Sequence, residues 1–270
     1  MGNNQSEQIP RVEREPPPPA AVLPVVTLQI SLGRLIIKAI DGDIHPNDII
    51  EELNRRFNGM LAAYVANPAR FREMLDKTES AISGSFIVRF VEGDGDWWEG
   101  DMDIYVDIIS LQMVLALLEL EGYTVQLGRN DSPLYERAGG CIHEVVKLTN
   151  STRRRSIDVI VSSKKISIYP IVDFWGTHVM NFLTGSAICV AYPDTLNKIG
   201  YVIPGRIVDW KIPILLGKYE RRGYDFPELQ GDMMGKVRYF GDEECVVIPV
   251  RRGGSLFCGG RHANTVVWRL

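Results

Sequence analysis

GSFIVRFVEGDGDWWEGDMDIYVD, residues 84–107, is the stretch on which the reading of this chain turns. It opens with a Gly84-Ser85 turn, and sixteen residues after Ser85 comes Asp101-Met102-Asp103 at the head of an apolar run. Residues two apart in a strand share a face, so Asp101 and Asp103 stand together while Met102 and Ile104 turn to the core. Two neighbouring carboxylates call for a cation. Mg2+, or Mn2+ in its place, takes oxygen ligands and completes its octahedron with water and substrate phosphates. Asp158 in RSIDVIVS also sits near the start of an apolar strand, where a buried carboxylate is costly unless paired or metal-bound, and it is the expected third acid. Gly84 lets the backbone come close to a phosphate, and the Ser85 hydroxyl and nearby N–H groups can donate to phosphate oxygens. Such a set suits two-metal chemistry, with one ion activating a nucleophile, the other stabilising departing pyrophosphate, and Asp158 serving as ligand or base.

Working outward, AISGSFIVRFV reads as a turn plus a buried strand, DMDIYVDI as a second strand, LQMVLALLELEGY as a helix ending at Gly122, and YTVQL as a short strand. HEVVKLTN and RSIDVIVSS alternate as paired strands joined by the Asn150–Arg155 turn. Upstream, residues 25–40 are strand-like, as a hairpin or one bent strand interrupted by Gly33. Pro46 suits a helix start, the spacing of Ile49, Ile50, Leu53, Phe57, Leu61 and Val65 predicts a helix over 47–65, and FREMLDKTE predicts a second. YPIVDFWGTHVMNFLTGSAICVAYP should hold a helical turn or two before a strand. Strands and helices alternate as in an α/β (α+β) chain. The expected organisation is a disordered proline-rich tail over 1–24, a main domain over 25–226 and a β-rich extension over 227–270. In that extension CVVIPV and VVWRL would either add strands to the main sheet or form a small flap.

The order of a Gly-Ser turn, DxD in an apolar strand and a later lone Asp in IDVI resembles the nucleotidyltransferase superfamily. More closely, SGSFIVRF, DMDIYV, LLELEGY, IDVIVS, FWGTHVMNFLTG, CVAYP and KYERRGYDF are similar to nucleotidyltransferase-like proteins of fungi and large DNA viruses, over residues 80–226. The resemblance implies a mixed β-sheet flanked by helices and transfer of a nucleoside monophosphate from a triphosphate, ATP included, to an acceptor. By it Gly84 and Ser85 correspond to the phosphate-binding turn, Asp101 and Asp103 to the metal pair, and Asp158 to the third acid. The spacer before Asp101 is longer than in minimal members and carries Asp94, Asp96, Trp97 and Trp98. A second reading is a catalytically inactive protein of the same fold, acting as a binding or scaffold module. A third, remoter one is a virion or host-interaction protein.

The 270 residues, 45% apolar and 24% charged, are enough for one or two cores. A net charge of −4 argues against a general nucleic-acid binder, which needs a basic surface. Cys141, Cys189, Cys245 and Cys258 match no CxxC spacing, so a reducing, cytoplasmic setting is expected. No apolar run is long enough to span a bilayer, and MGNNQSEQ lacks the blocks of a signal peptide. Gly2 and Ser6 do satisfy the myristoylation pattern, which would add a peripheral membrane contact that a single acyl chain makes only marginal.

Other residues have a bland account beside the sharp one. Pro16–Pro19 suit a spacer or a ligand for a proline-binding module. Trp97 and Trp98 would stack on a base or pack over a core edge. Cys141, His143, His178, Cys258 and His262 lack the paired spacing of a zinc site. Arg153, Arg154 and Arg155 beside Asp158 would meet a triphosphate or an anionic acceptor such as RNA, or form a solvated turn. Lys218, Arg221 and Arg222 would reach phosphates or line an exposed helix face.

Overall fold

The computed structural model describes residues 31–93, 101–126, 140–229, 231, 233–253 and 266–269. The tail over 1–24, Gly2, Asp94, Asp96, Trp97, Trp98, Cys258 and His262 lie outside them. Three helices come first: α1 (Leu32–Ile40), α2 (Pro46–Leu61) and α3 (Pro68–Lys77). Helix α1 overturns the strand expected for the end of 25–40. Leu35 and Ile36 are buried while Arg34 and Lys38 are exposed, a spacing that serves one helical face. Gly33 lets that helix press on the chain at Leu196, whose carbonyl oxygen would lie 2.9 Å from an added Cβ. Helix α2 stops four residues before Val65, and Tyr64 and Val65 are buried beyond its end. Helix α3 starts earlier than expected, because the Asn67 side chain caps it by accepting from the Arg70 N–H at 3.0 Å.

The short strand β1 (Ala81–Ser83) then runs into helix α4 (Ser85–Glu92). Here FIVRFV is helical, not the strand expected. Phe86, Ile87, Phe90 and Val91 face the main core and Val88 a second cluster, so apolar residues surround the helix and leave no legible period. Strand β2 (Asp101–Val106), helix α5 (Leu111–Leu120), β3 (Thr124–Val125), β4 (Ile142–Asn150) and β5 (Arg155–Ser162) follow much as the sequence suggests. Gly122, at φ +85°, terminates the α5 region. Next come 3-10 turns at Tyr169–Asp173 and Thr177–Val179, strands β6 (Asn181–Leu183) and β7 (Ala187–Val190), and helix α6 (Ile212–Glu220). Strands β8 (Val237–Tyr239), β9 (Val246–Pro249) and β10 (Val267–Arg269) complete the set.

Eight strands form one mixed sheet in the order β3-β4-β5-β2-β1-β6-β7-β9, with β2 and β5 parallel and the other neighbours antiparallel. The protein is therefore mixed α/β, a mixed sheet flanked by helices. CVVIPV joins the main sheet through β9, the first of the two arrangements expected, while β10 pairs with β8 in a separate two-stranded sheet. One sheet face carries Met102, Ile104, Val106, Ile157, Val159 and Val161 beneath helices α1 to α5. On the other face, Tyr105, Ile160 and Val145 pack with Ile168, Ile171 and Phe182. Among the described residues no helix is long and apolar enough to cross a membrane.

Candidate functional site

Strand register gathers the acids. Asp103 on β2 stands directly beside Asp158 on parallel β5, and Asp158 stands opposite Lys147 on β4. On the other side Asp103 pairs with Ser83 of β1. Cross-strand partners share a face, so Lys147, Asp158, Asp103 and Ser83 form a row across four strands, with Asp101 on the same face one step along β2. The row lies on the face opposite Met102 and Ile104, where the cluster around Tyr105 and Ile160 ends. All three predicted acids are therefore on one side of the sheet.

Gly84 follows β1 with φ +67° and ψ −145°, a conformation nearly restricted to glycine, and caps the N-terminus of α4. The turn is pressed against the acids: a Cβ there would lie 2.0 Å from Asp103 Oδ2. The opening N–H groups of α4 have no partner within the helix, so the helix presents donors and the positive end of its dipole beside the carboxylates. Ser85, the first residue of α4, is half-buried.

The three carboxylates differ in setting. Asp101 is exposed, Asp103 part-buried, and Asp158 nearly closed off at 9% exposure. Burial drives the Asp103 carboxyl well above the ordinary carboxylate range, and the charges of Asp101 and Asp158 push it the same way, against Lys218 and Lys147. Burial also raises Asp158, with Lys147 opposing and Asp101 assisting. The Lys147 ammonium stands 3.8 Å from Asp158 Oδ2.

In and around this row lie Tyr64, Tyr219 and Lys147, which the sequence did not single out, together with Arg155 and Lys218, which it did. Tyr64, just past α2, is electrostatically coupled to Asp101 and Asp103, and the Arg155 guanidinium lies 5.7 Å from the centre of its ring. Tyr219 of α6 senses Asp103, and burial raises its hydroxyl far above the normal range. Lys218, beside it, is the member of the KYERRGYDF trio whose charge reaches Asp103. Arg222 lies 4.9 Å over the Tyr219 ring and Arg221 is exposed. Lys147 looked like an ordinary strand lysine in HEVVKLTN; only its register opposite Asp158 marks it.

Within the basic run at 153–155, Arg153 serves the turn it sits in. The Arg153 N–H donates to Asn150 Oδ1 at 2.9 Å, and its side chain donates to the Ala62 carbonyl and stands 3.9 Å from Glu121. His178 is wholly buried in a ring cage of Trp175, Tyr219, Tyr224 and Phe226, at 4.4 to 5.3 Å between centroids. Neither ring nitrogen has a hydrogen-bond partner among the described residues, and burial holds the imidazole neutral, with its pKa lowered to about 3. This cage joins FWGTH to KYERRGYDF, two of the segments that carried the resemblance, and it is a packing hub in place of a zinc ligand set.

As donors, the acids suit a hard divalent cation, since they offer carboxylate oxygens whose mutual repulsion a cation relieves. As the side chains stand, no three His, Cys, Asp or Glu among the described residues are gathered closely enough to hold an ion. Two carboxylates completed by substrate phosphates and water are the arrangement that Mg2+ commonly takes. Comparison with protein-family models, with curated proteins and with solved structures finds no match to this chain.

Proposed function

We propose that this chain is a divalent-cation-dependent nucleotidyltransferase, which moves a nucleoside monophosphate from a nucleoside triphosphate to a hydroxyl of an acceptor. The observation that carries the reading is the seat of the Gly84 turn against Asp103, with Asp158 next to Asp103 in register. A glycine bend at a helix N-terminus binds phosphate, and carboxylates beside it bind the cation that phosphate brings. In this reading the β-sheet is of the nucleotidyltransferase-like type.

The residues divide the work. Asp101 and Asp103 would hold Mg2+ or Mn2+, and Asp158 is the further ligand or the base that takes the acceptor proton. A cation bound there polarises the α-phosphoryl group and neutralises the departing pyrophosphate. The N–H groups at Gly84 and Ser85 and the Ser85 hydroxyl hold phosphate oxygens, and Lys218 on α6 offers a second positive charge from across the acids. A cation held there would compete with a proton for the Asp103 carboxyl, whose pKa is raised, so its binding would strengthen as pH rises.

The test is calorimetry with Mg2+ and each nucleoside triphosphate, wild type against Asp101→Ala plus Asp103→Ala. Heat from wild type that the double variant loses is expected, and identical heats would reject the site. Release of pyrophosphate from triphosphate, over a panel of RNA, protein and small-molecule acceptors, reads turnover.

A second reading, a catalytically silent nucleotide-binding or scaffold module, draws on the ion pair between Lys147 and Asp158. That lysine supplies a charge where the third acid would take a metal. Cation-dependent triphosphate binding without turnover is its signature. Tethering by a myristoylated Gly2 belongs to either reading, and intact mass after coexpression with a myristoyltransferase tests it.

A further inference from the structure

The far edge of the sheet holds two thiols in an unequal pair. Cys189 lies in β7 opposite Val247 of β9, and Cys245 is the residue just before β9. Residues two apart share a face, so Cys245 comes to the same side as Cys189, one diagonal step along the ladder. Each thiol shifts the ionisation of the other, as near neighbours do, and the Cys245 sulfur also faces the Tyr239 carbonyl at 3.6 Å. Cys189 is fully enclosed in the core cluster, whereas Cys245 is half-buried at its margin. Neither is in a disulfide.

A fixed cation stands on the outer sulfur. Arg238 Nη2 approaches Cys245 Sγ at 3.5 Å, and the guanidinium is held by Asp242 at 2.6 and 2.9 Å and by the Ala191 carbonyl at 2.9 Å. It also lies 4.9 Å from the centre of the Tyr192 ring and 5.7 Å from that of Trp268, and these contacts hold it beside the sulfur. The Cys189 thiol, which burial keeps protonated, helps pull the Cys245 thiol below its ordinary value, and Cys245 is the sulfur more easily ionised. A partly accessible thiol lowered below its ordinary value by its thiol neighbour, with Asp242 opposing and the Arg238 guanidinium against its sulfur, is the setting of a reactive cysteine with its resolving partner.

We propose that Cys245 is a site of oxidation by hydroperoxides and that Cys189 resolves it, forming a reversible disulfide that fastens β9 to β7. In the first step the Cys245 thiolate sulfur attacks a peroxide oxygen, the O–O bond breaks, and the departing oxygen leaves as alkoxide or hydroxide and takes up a proton. Sulfur is oxidised to sulfenic acid and the peroxide is reduced to alcohol or water. In the second step the Cys189 sulfur attacks the sulfenic sulfur, the S–O bond breaks, and hydroxide leaves with the Cys189 proton as water. Closure draws the Cys245 turn inward, since diagonal neighbours stand slightly farther apart than a disulfide spans. Cys245 lies outside the ladder, in the turn where its N–H donates to the Asp242 carbonyl at 3.0 Å, so closure shifts that turn and not the β7–β9 pairing.

The experiment uses the full chain and hydrogen peroxide at stoichiometric amounts, read by intact mass and peptide mapping. A loss of two hydrogens, a cross-link between the Cys189 and Cys245 peptides, and reversal by dithiothreitol are expected, and the same in the Cys141→Ser plus Cys258→Ser protein. In Cys189→Ala, Cys245 should stop at sulfenic acid and be trapped by dimedone, while Cys245→Ala should leave Cys189 reduced. No cross-link in the wild-type chain, a cross-link through Cys141 or Cys258, or Cys245 reacting no faster than Cys141 overturns the proposal. The wild-type mass measurement stands whether or not the alanine variants fold.

Discussion

Gly84→Ala should damage this protein twice, through the backbone and through Asp103, and the two contributions can be separated. At φ +67° and ψ −145° an alanine is strained by about 1–3 kcal/mol. The new methyl would also lie 2.0 Å from Asp103 Oδ2 and 3.1 Å from its Cγ, so the carboxyl must rotate. Asp103 is fixed between β1 and β5, which leaves rotation of its side chain as the available relief, at about 0.5–1.5 kcal/mol. The single variant should thus lose roughly 2–4 kcal/mol, a fall in melting temperature of about 5–15 °C.

Asp103→Ala removes the obstructing carboxyl. In that background Gly84→Ala should cost the backbone strain alone, so the double-mutant cycle should return a coupling of about 1 kcal/mol in favour of the double variant. The assay is urea and thermal denaturation of four proteins at neutral pH without divalent ions. A coupling of zero, or Gly84→Ala as stable as wild type, would refute the placement of the turn against the acid. The cycle depends on no assumption about activity, so it tests the geometry even if no nucleotide binds.

Removing the Asp103 charge should stabilise the metal-free protein. Its folded pKa is raised above the unfolded value of about 3.9, so native protein keeps a proton that unfolded chain has lost, and stability falls as pH climbs from about 4 toward the folded value. Asp103→Asn should flatten that slope and raise the melting temperature at pH 7, and parallel pH profiles for the two proteins would contradict it. His178 has the opposite sign: its folded pKa is lowered to about 3 from an unfolded value near 6.5, so stability is complete above about 6.5 and is lost as pH falls toward 3. That loss is at most about 5 kcal/mol, and His178→Phe should make the acid branch of the profile shallower, leaving the share that Glu52 and Asp242 contribute, whatever offset its larger ring adds. Arg72 is buried and donates to the Gly185 and Val250 carbonyls and to Asn54 and Asn58, tying α3 to α2, to the β6–β7 turn and to the end of β9. Arg72→Met leaves those acceptors unpaired and should cost about 3–5 kcal/mol, read from denaturation midpoints, with no change at Met serving as the contrary result.

What could be read in the chain, and what could not, follows from which periods survive burial. The β4 and β5 strands were legible, because HEVVKLTN and RSIDVIVSS keep an alternation that a sheet with two different faces imposes. FIVRFV was not, because α4 touches apolar clusters on two sides and its 3.6-residue period is overwritten. The end of 25–40 failed for a related reason: isoleucines suggested a strand, while the exposed Arg34 and Lys38 that mark a helix face are too few to outweigh them in so short a run.

The candidate site shows the same division between local and long-range information. Asp101 and Asp103 announce their common face by spacing alone, and the Gly-Ser turn announces a bend. That Asp158 meets them is a matter of register between β2 and β5, which local spacing leaves open by one residue, and a one-residue slip would have turned Asp158 to the opposite face. The hydrophobic pattern enforces the register: Ile157, Val159 and Val161 must enter the helical side of the core together with Met102, Ile104 and Val106. Burial of those six side chains therefore holds the acids on one side of the sheet against their mutual repulsion. Weakening the register should separate the carboxylates before it unfolds the sheet, so Ile157→Ala plus Val159→Ala should lower the folded pKa of Asp103 by the share that Asp101 and Asp158 contribute, while burial keeps it above an ordinary carboxylate. NMR titration of the carboxyl carbons would read it, and an Asp103 value unchanged from wild type in a folded variant would show that the register does not hold the acids together.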